Sequence, residues 1–429
     1  MLQLQEIIAL SVFVLCFILF TNSKLNSVLV ALCGGFSMIV FHIISQEKAF
    51  SEYVDWNVIF LLIGMMLMIG VIKTTGLFEY IALRTAKIAK GEPVRILIML
   101  FLTTAFLSAF LDNVTTVIII TPISILIAVE LGISPLPFVI SQAIGSNIGG
   151  TATLIGDPPN LMIGSAAHLS FLDFVYNLTP VIIIEVLVGA LFFYIFFRKR
   201  LVVQNWRKAK ILEFDEKQQI TDKGLMIFSI VILVLFVVFL FFQDYFKIHA
   251  ATVAIACALI LMIRNRKNIH TEEFFKNEIE WDSIFFFIGL FILVGGVDQA
   301  GIIDKISNWL IALTNGNIRA TSVIFVWGFG IASGIINNIP FVATMIPLLN
   351  KMSIALGAQN VLPLWWSLAL GSCLGGNGTL IGASANIISA GISKKSGFPI
   401  SFWTFTKYGM IITIINLAIS SVYVYFRYF

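Results

Sequence analysis

Charge is scarce in this sequence. Lys and Arg number 27 and Asp and Glu 23 in 429 residues, so charged side chains make up only 12%. With 59% hydrophobic residues and a mean hydropathy of +0.98, this excludes both an ordinary soluble globular chain and a disordered one. Cysteine is equally thin. Cys16, Cys33, Cys257 and Cys373 fall in hydrophobic segments at unrelated spacings, which argues against a disulfide framework or a zinc signature and leaves buried free thiols as the expectation. The four histidines, His42, His168, His249 and His270, lie near the ends of apolar runs and form no ligand pair, so no resident metal is expected. There is no Gly-x-x-x-x-Gly-Lys loop to make ATP the direct energy source, and no Ser/His or paired-Asp constellation to suggest an enzyme. No cofactor is expected beyond bound sodium or coupled protons, and no nucleic-acid partner.

What the sequence has in abundance is long apolar runs. A helix needs roughly 20 such residues to cross a bilayer, and the chain holds about ten to a dozen runs separated by short polar joints. This is the pattern of an all-α polytopic membrane protein whose constant partner is lipid. Expected spans lie at about 4–21, 26–45, 57–73, 178–197, 224–242, 249–264, 282–297 and 403–426, with amphipathic stretches near 73–95 and 300–318. The N-terminal run lacks a basic start and is followed by TNSKLN rather than a small-residue cleavage site, so it reads as a retained first helix. Trp365, Trp366 and the many phenylalanines read as interfacial and lipid-facing.

One stretch breaks the pattern. GSNIGGTATLIGDPPN, from Gly145 to Asn160, sets four glycines, a carboxylate and two prolines inside an apolar run, where a helix must break. GSCLGGNGTLIGASAN, from Gly371 to Asn386, aligns with it without a gap, pairing Gly149 with Gly375, Gly150 with Gly376, Thr153 with Thr379 and Asn160 with Asn386. Trp56, Gly64, Gly70 and Gly76 recur in the same way as Trp281, Gly289, Gly295 and Gly301. Basic residues follow the first of these spans but precede the second, at Arg264, Arg266 and Lys267, so the positive-inside rule makes the two copies inverted. The expected organisation is repeat one over 1–197, a basic cytoplasmic linker over 198–223 and repeat two over 224–429. Repeat one holds a re-entrant hairpin at about 95–131 and a broken helix at about 135–168. Repeat two holds a hairpin at about 319–355 and a broken helix at about 361–392.

Unpaired backbone groups are expensive in lipid, so broken helices are tolerated where they are buried in protein or line a polar cavity. Two inverted repeats, each with a broken helix and a re-entrant tip, form the arrangement in which secondary transporters hold solute and coupling ion. The candidate binding residues at the first tip are Asp112, Asn113, Thr115 and Thr116. At the first break they are Asn147, Gly149, Gly150, Thr151, Thr153, Asp157 and Asn160. In the second repeat they are Asn337 and Asn338 at the tip, then Gly375, Gly376, Asn377, Thr379 and Asn386 at the break. The carboxylates are not duplicated, since Asp112 aligns with Asn337 and Asp157 with Ala383. Ion or proton handling is therefore assigned chiefly to repeat one. The structural alternative is that Asp112 caps a half-helix and Asp157 holds a turn. Glu185, alone within an apolar span, is either a relay or a scaffold group, and Cys373 is either a packing residue or a contact for a thiophilic solute.

LDNVTT at 111–116, TP at 121–122 and SNIGGTATLIGDPPN at 146–160 resemble the ion transporter superfamily, in the branch joining arsenite permeases, certain sodium–proton antiporters and the melanosomal P protein. DWNVIFLLIGMMLMIGVIKTTGLFEY at 55–80 fits the same branch. The resemblance implies a dimerising scaffold with a mobile domain that moves as an elevator. In related dicarboxylate carriers the tips read Ser-Asn-Thr; here they read Asp112-Asn113-Val114 and Asn337-Asn338-Ile339. The expected activity is proton-driven efflux of arsenite or a related small inorganic solute, with sodium–proton exchange or a P-protein-type anion transporter or channel as alternatives. The expected partners are that solute, a second copy of the chain and, for an arsenite pump, a soluble ATPase. The expected location is a prokaryotic inner membrane.

Overall fold

The structure, a computed structural model, describes residues 2–20, 25–314 and 316–429. It is helical throughout, with no strand among the described residues. The end of the first expected span at residue 21, the TNSK of the joint after it, and residue 315 of the second amphipathic stretch lie outside the described residues. Among those described, eight helices are 18 residues or longer and apolar enough to cross a membrane; four more apolar helices are shorter.

The repeats interlock through their small residues. Helix Trp56–Lys73 packs against Ala250–Arg264 of the other half, and Trp281–Gln299 packs against Ser27–Val40. A Cβ on Gly64 would lie 2.8 Å from the backbone of Ile255, and one on its counterpart Gly289 would lie 2.6 Å from the backbone of Leu32. Only hydrogen at these positions lets the backbones approach so closely, the device that membrane helices use in place of a hydrophobic drive. The correspondence extends to side chains. Trp56 Nε1 donates to Phe50 O at 2.8 Å and Trp281 Nε1 to Phe275 O at 3.2 Å. Tyr53 donates to Asp298 (3.2 Å) where the other half pairs Glu278 with Lys73 (3.5 Å).

Each repeat then supplies a hairpin and a broken helix. The first hairpin is Pro93–Ser108 and Asn113–Glu130, and the second is Ile318–Ile336 and Asn338–Leu356. The arms of the first run to 16 and 18 residues, about 24 and 27 Å at 1.5 Å per residue, longer than half a crossing. Asn113–Glu130 and both arms of the second hairpin are among the eight helices long and apolar enough to cross a membrane. The first broken helix is Leu136–Gly150 followed by Pro158–Ala167, and the second is Ala358–Gly375 followed by Ser384–Lys395. Helices Thr179–Phe197 and Phe402–Tyr428 close the two sets.

Three expectations need correction. Many phenylalanines, among them Phe101, Phe138, Phe193 and Phe287, are buried within the bundle rather than lipid-facing. Trp365 and Trp366 are only 3% and 2% exposed; they sit inside the second broken helix, with Phe174 set edge-on to Trp366 at 5.2 Å, and do not face lipid. Cys33 is exposed, unlike the other three thiols, because the face of Ser27–Val40 that packs on the bundle is the one carrying Ala31, Gly34, Gly35 and Met38.

The basic stretch 198–223 is structured rather than a loose joint. It forms a helix over Asn205–Glu213 and a turn of 3-10 helix over Glu216–Gln219, strapped across the amphipathic helix Leu77–Ile88. Glu216 accepts from Lys87 (2.7 Å) and Arg84 (2.9 Å), and Lys208 reaches Glu92 (2.8 Å). The Lys87 hydrogen bond, ahead of the Arg84 contact, holds the Glu216 carboxyl down from 4.5 to about 2. A carboxyl lowered by folding contributes stability that is complete above its ordinary value and is lost as pH falls through the folded one. The strap should therefore stay docked at pH 4. Glu216→Gln should raise tryptic cleavage at Lys217 several-fold at neutral pH, and unchanged cleavage would show that the clamp does not hold the linker.

Candidate solute and ion site

The glycines of each broken helix shape the site rather than donate to it. A Cβ on Gly149 would lie 2.0 Å from Ala105 O, and one on Gly375 would lie 2.2 Å from Gly330 O, so each broken helix touches the backbone of its own hairpin. Gly150 and Gly376 sit in the bends, where a Cβ would meet Gly156 O at 2.5 Å and Gly382 O at 3.0 Å. The unwound carbonyls are collected by one asparagine in each half. Asn160 Nδ2 donates to Thr153 O (2.9 Å) and Thr151 O (3.2 Å); Asn386 Nδ2 donates to Thr379 O and Gly376 O (both 2.9 Å). Threonines and serines tie break to tip in the same pattern. Thr153 Oγ1 donates to Ala109 O and Thr379 Oγ1 to Gly334 O, while Ser108 donates to Ser146 O (2.7 Å) and Ser333 to Ser372 O (2.6 Å).

On this frame lies a buried network drawn from both repeats. Asn113 Nδ2, at the first tip, donates to Asp157 Oδ1 (3.1 Å) and Asn147 Oδ1 (3.0 Å). Asn338 Nδ2, at the second tip, donates to Asp157 Oδ2 (3.3 Å). Asn147 Nδ2 donates across the repeat boundary to Asn377 Oδ1 (2.8 Å) and Asn386 Oδ1 (2.9 Å). Cys373 Sγ contacts Asn160 Oδ1 at 3.6 Å. Asp157 is thus the one carboxylate shared by the two tips. No Lys, Arg or His hydrogen-bonds to this network among the described residues.

The two aspartates, alike in the sequence, have different environments. Asp112 is the N-cap of Asn113–Glu130, accepting from Thr115 N (2.9 Å) and Thr115 Oγ1 (2.5 Å), while Thr116 Oγ1 bonds to its carbonyl (2.9 Å). Asp112, Thr115 and Thr116 therefore form a helix start. Asp157 stands at the cap position of Pro158–Ala167 but makes no side-chain cap bond there, because its carboxylate turns to the tips. Thr151 back-bonds within its own helix to Asn147 O (2.7 Å). Asn337 is half-buried at φ +82°, its Oδ1 accepting from Ile339 N (3.2 Å), and it opens on a cavity of about 310 Å³ that also meets Asp282, Ser283 and Ser384. Asp282 and Ser283 belong to the interlocking helix Trp281–Gln299, and nothing in the sequence marks them. Ser108 and Ser333 were visible only as one more pair 225 residues apart.

Buried half-helix ends, two tips and a shared buried carboxylate in an interlocked helical bundle form the arrangement in which secondary transporters hold solute and ion. A family profile described as citrate transporter matches residues 17–371, and the chain belongs to that family, within the ion transporter superfamily. It is 39% identical over 429 residues to an uncharacterized transporter of Mycobacterium tuberculosis, covering 99% of both chains. It is 32% identical to the P protein of Sus scrofa over 87% of this chain and 53% of that one. The crystal structure of the Alcanivorax borkumensis YdaH transporter has a similar fold, with a TM-score of 0.57 at 14% identity over 90% of this chain and 88% of that one.

Proposed function

We propose that this transporter is ion-coupled and exports a small uncharged inorganic solute, arsenite foremost, in exchange for protons. The observation that carries the reading is Asp157, buried between Asn113 and Asn338 with no cationic partner. A carboxylate in that setting needs a proton or a bound cation, and its two tip contacts tie that charge state to the arrangement of the hairpins. The surrounding amides offer neutral donors and acceptors suited to a hydroxylated solute, and Cys373 adds a soft sulfur. A free tricarboxylate such as citrate would meet no Lys, Arg or His hydrogen-bonded into this network among the described residues. In this reading the hairpins and broken helices move together as an elevator against the interlocked scaffold, in a homodimer, and a soluble ATPase joins only if the chain serves an arsenite pump. The second reading is sodium–proton exchange, in which the Asp157 carboxylate itself would meet the cation.

Flux in proteoliposomes under imposed pH or sodium gradients separates these. The expected result is saturable arsenite movement driven by the pH gradient. Arsenite flux indifferent to both gradients would sink the coupling, proton-driven sodium flux without arsenite would favour the second reading, and unsaturated chloride current would indicate a channel.

A further inference from the structure

Glu185 is 0% exposed in the middle of Thr179–Phe197, away from the Asp157 network. Its Oε1 accepts from Ser420 Oγ on Phe402–Tyr428 at 2.7 Å; its Oε2 has no protein hydrogen-bond partner among the described residues. One turn before Ser420 lies Asn416, also 0% exposed, with neither amide atom hydrogen-bonded among the described residues. Three polar atoms in two fully buried side chains on facing helices have no protein partner among the described residues and call for one that the protein does not supply.

The cluster is also connected. Gly409, Thr413, Asn416 and Ser420 follow one another at spacings of four, three and four residues, so they line one buried face of the last helix. That face begins at the second broken helix: a Cβ on Gly409 would lie 2.2 Å from Asn377 O, and Thr413 Oγ1 donates to Leu374 O at 3.3 Å. Asn377 belongs to the central network, and its Nδ2 is itself unpartnered.

We propose that Glu185, Asn416 and Ser420 form a second proton site, and that the polar residues Thr413, Asn416 and Ser420 of this face are the route joining it to the central asparagines. A metal cation fits less well. The cluster offers four side-chain oxygens, whereas hard divalent cations such as calcium and magnesium take six or more, and the free Nδ2 of Asn416 is a donor that a cation would repel. The other ionisable groups on the packed helices are occupied or remote. At one end Asp173 closes the capping box with Ser170, Arg427 lies over Tyr176 and Tyr423 donates to Asn177 O. At the other, Tyr408 accepts from Arg200 and shares its end of the helix with Lys407, while Tyr194 lies beneath Arg198. Pro93–Ser108 brings only Arg95, in its first turn, and Leu136–Gly150 brings no ionisable side chain; Ile318–Ile336 brings Arg319, which donates to Phe429 O and lies over Tyr425 at the far end, and Ala358–Gly375 brings Cys373, which contacts Asn160.

The proposal builds on the proton-coupled reading for its purpose, but the site is testable without solute. Infrared difference spectra of the purified protein across a pH titration should show a protonated-carboxyl band that is lost in Glu185→Gln and kept in Asp157→Asn. Ser420→Ala, which removes a single hydrogen bond, should shift the same band and covers the case in which Glu185→Gln does not fold. No band in the wild type, a band unchanged in Glu185→Gln, or one that responds to sodium at constant pH overturns the second proton site whatever the flux measurements give. Flux indifferent to pH with the band present would instead overturn the transport reading alone.

Discussion

Asp157→Asn should abolish gradient-driven flux in proteoliposomes while the protein still purifies as a folded species. The amide that replaces the carboxylate has one accepting end in place of two, so one tip asparagine then faces donor to donor. Leaving a buried donor unsatisfied typically costs about 1–3 kcal/mol, roughly 5- to 150-fold in whatever step depends on it, and the titratable group is lost altogether. Asp112→Asn should behave differently, although the sequence alone makes both aspartates candidate ion ligands. Asparagine caps helices about as well as aspartate, and the bond from Thr115 N survives the change. Its flux should stay within about threefold of wild type, since substitution between good caps costs a few tenths of a kcal/mol. Wild-type flux in Asp157→Asn would refute the site, and an equal collapse in Asp112→Asn would show that Asp112 does more than cap.

Gly149→Ala and Gly375→Ala should each lower thermal stability sharply. The added methyl meets a carbonyl oxygen of the hairpin at 2.0 or 2.2 Å, and backbone cannot swing aside as a flexible side chain can. Overpacking of this kind costs about 3 kcal/mol at the upper end of its usual range. Gly328→Ala and Gly391→Ala are the controls: a Cβ there meets nothing within 4 Å, both lie in helices, and alanine is favoured over glycine in a helix by about 0.5–1 kcal/mol. Melting in detergent, followed by size-exclusion chromatography, should give opposite signs for the two pairs. A common sign would mean that the close approach of hairpin and broken helix does not govern stability.

The broken helices and hairpin tips were legible because their signals are local: glycines and prolines inside apolar runs, repeated at a fixed offset. The division of labour between Asp112 and Asp157 was not. Both precede helix starts, and the difference lies in whether a side chain folds back on its own turn or reaches residues 44 and 181 positions away. Trp365 and Trp366 misled for a related reason, since aromatic residues mark interfaces on average and these two are packed inside the bundle, Trp366 against Phe174. Glu185 stood out as an isolated charge, but Ser420, 235 residues on, carries no pattern that would have paired them. The strap over 198–223 reads as basic composition, and only its contacts with Arg84, Lys87 and Glu92 show that it is docked.

The interlocking of Trp56–Lys73 with Ala250–Arg264, and of Ser27–Val40 with Trp281–Gln299, bears on biosynthesis. When the first half has entered the bilayer, the small-residue faces around Gly64 and Gly35 have nothing to close on, because their partners are still being translated. The early helices must wait in lipid, exposed to wrong neighbours, until the second half threads between them. The last assembly step is then the mutual insertion of two halves rather than the docking of two finished ones.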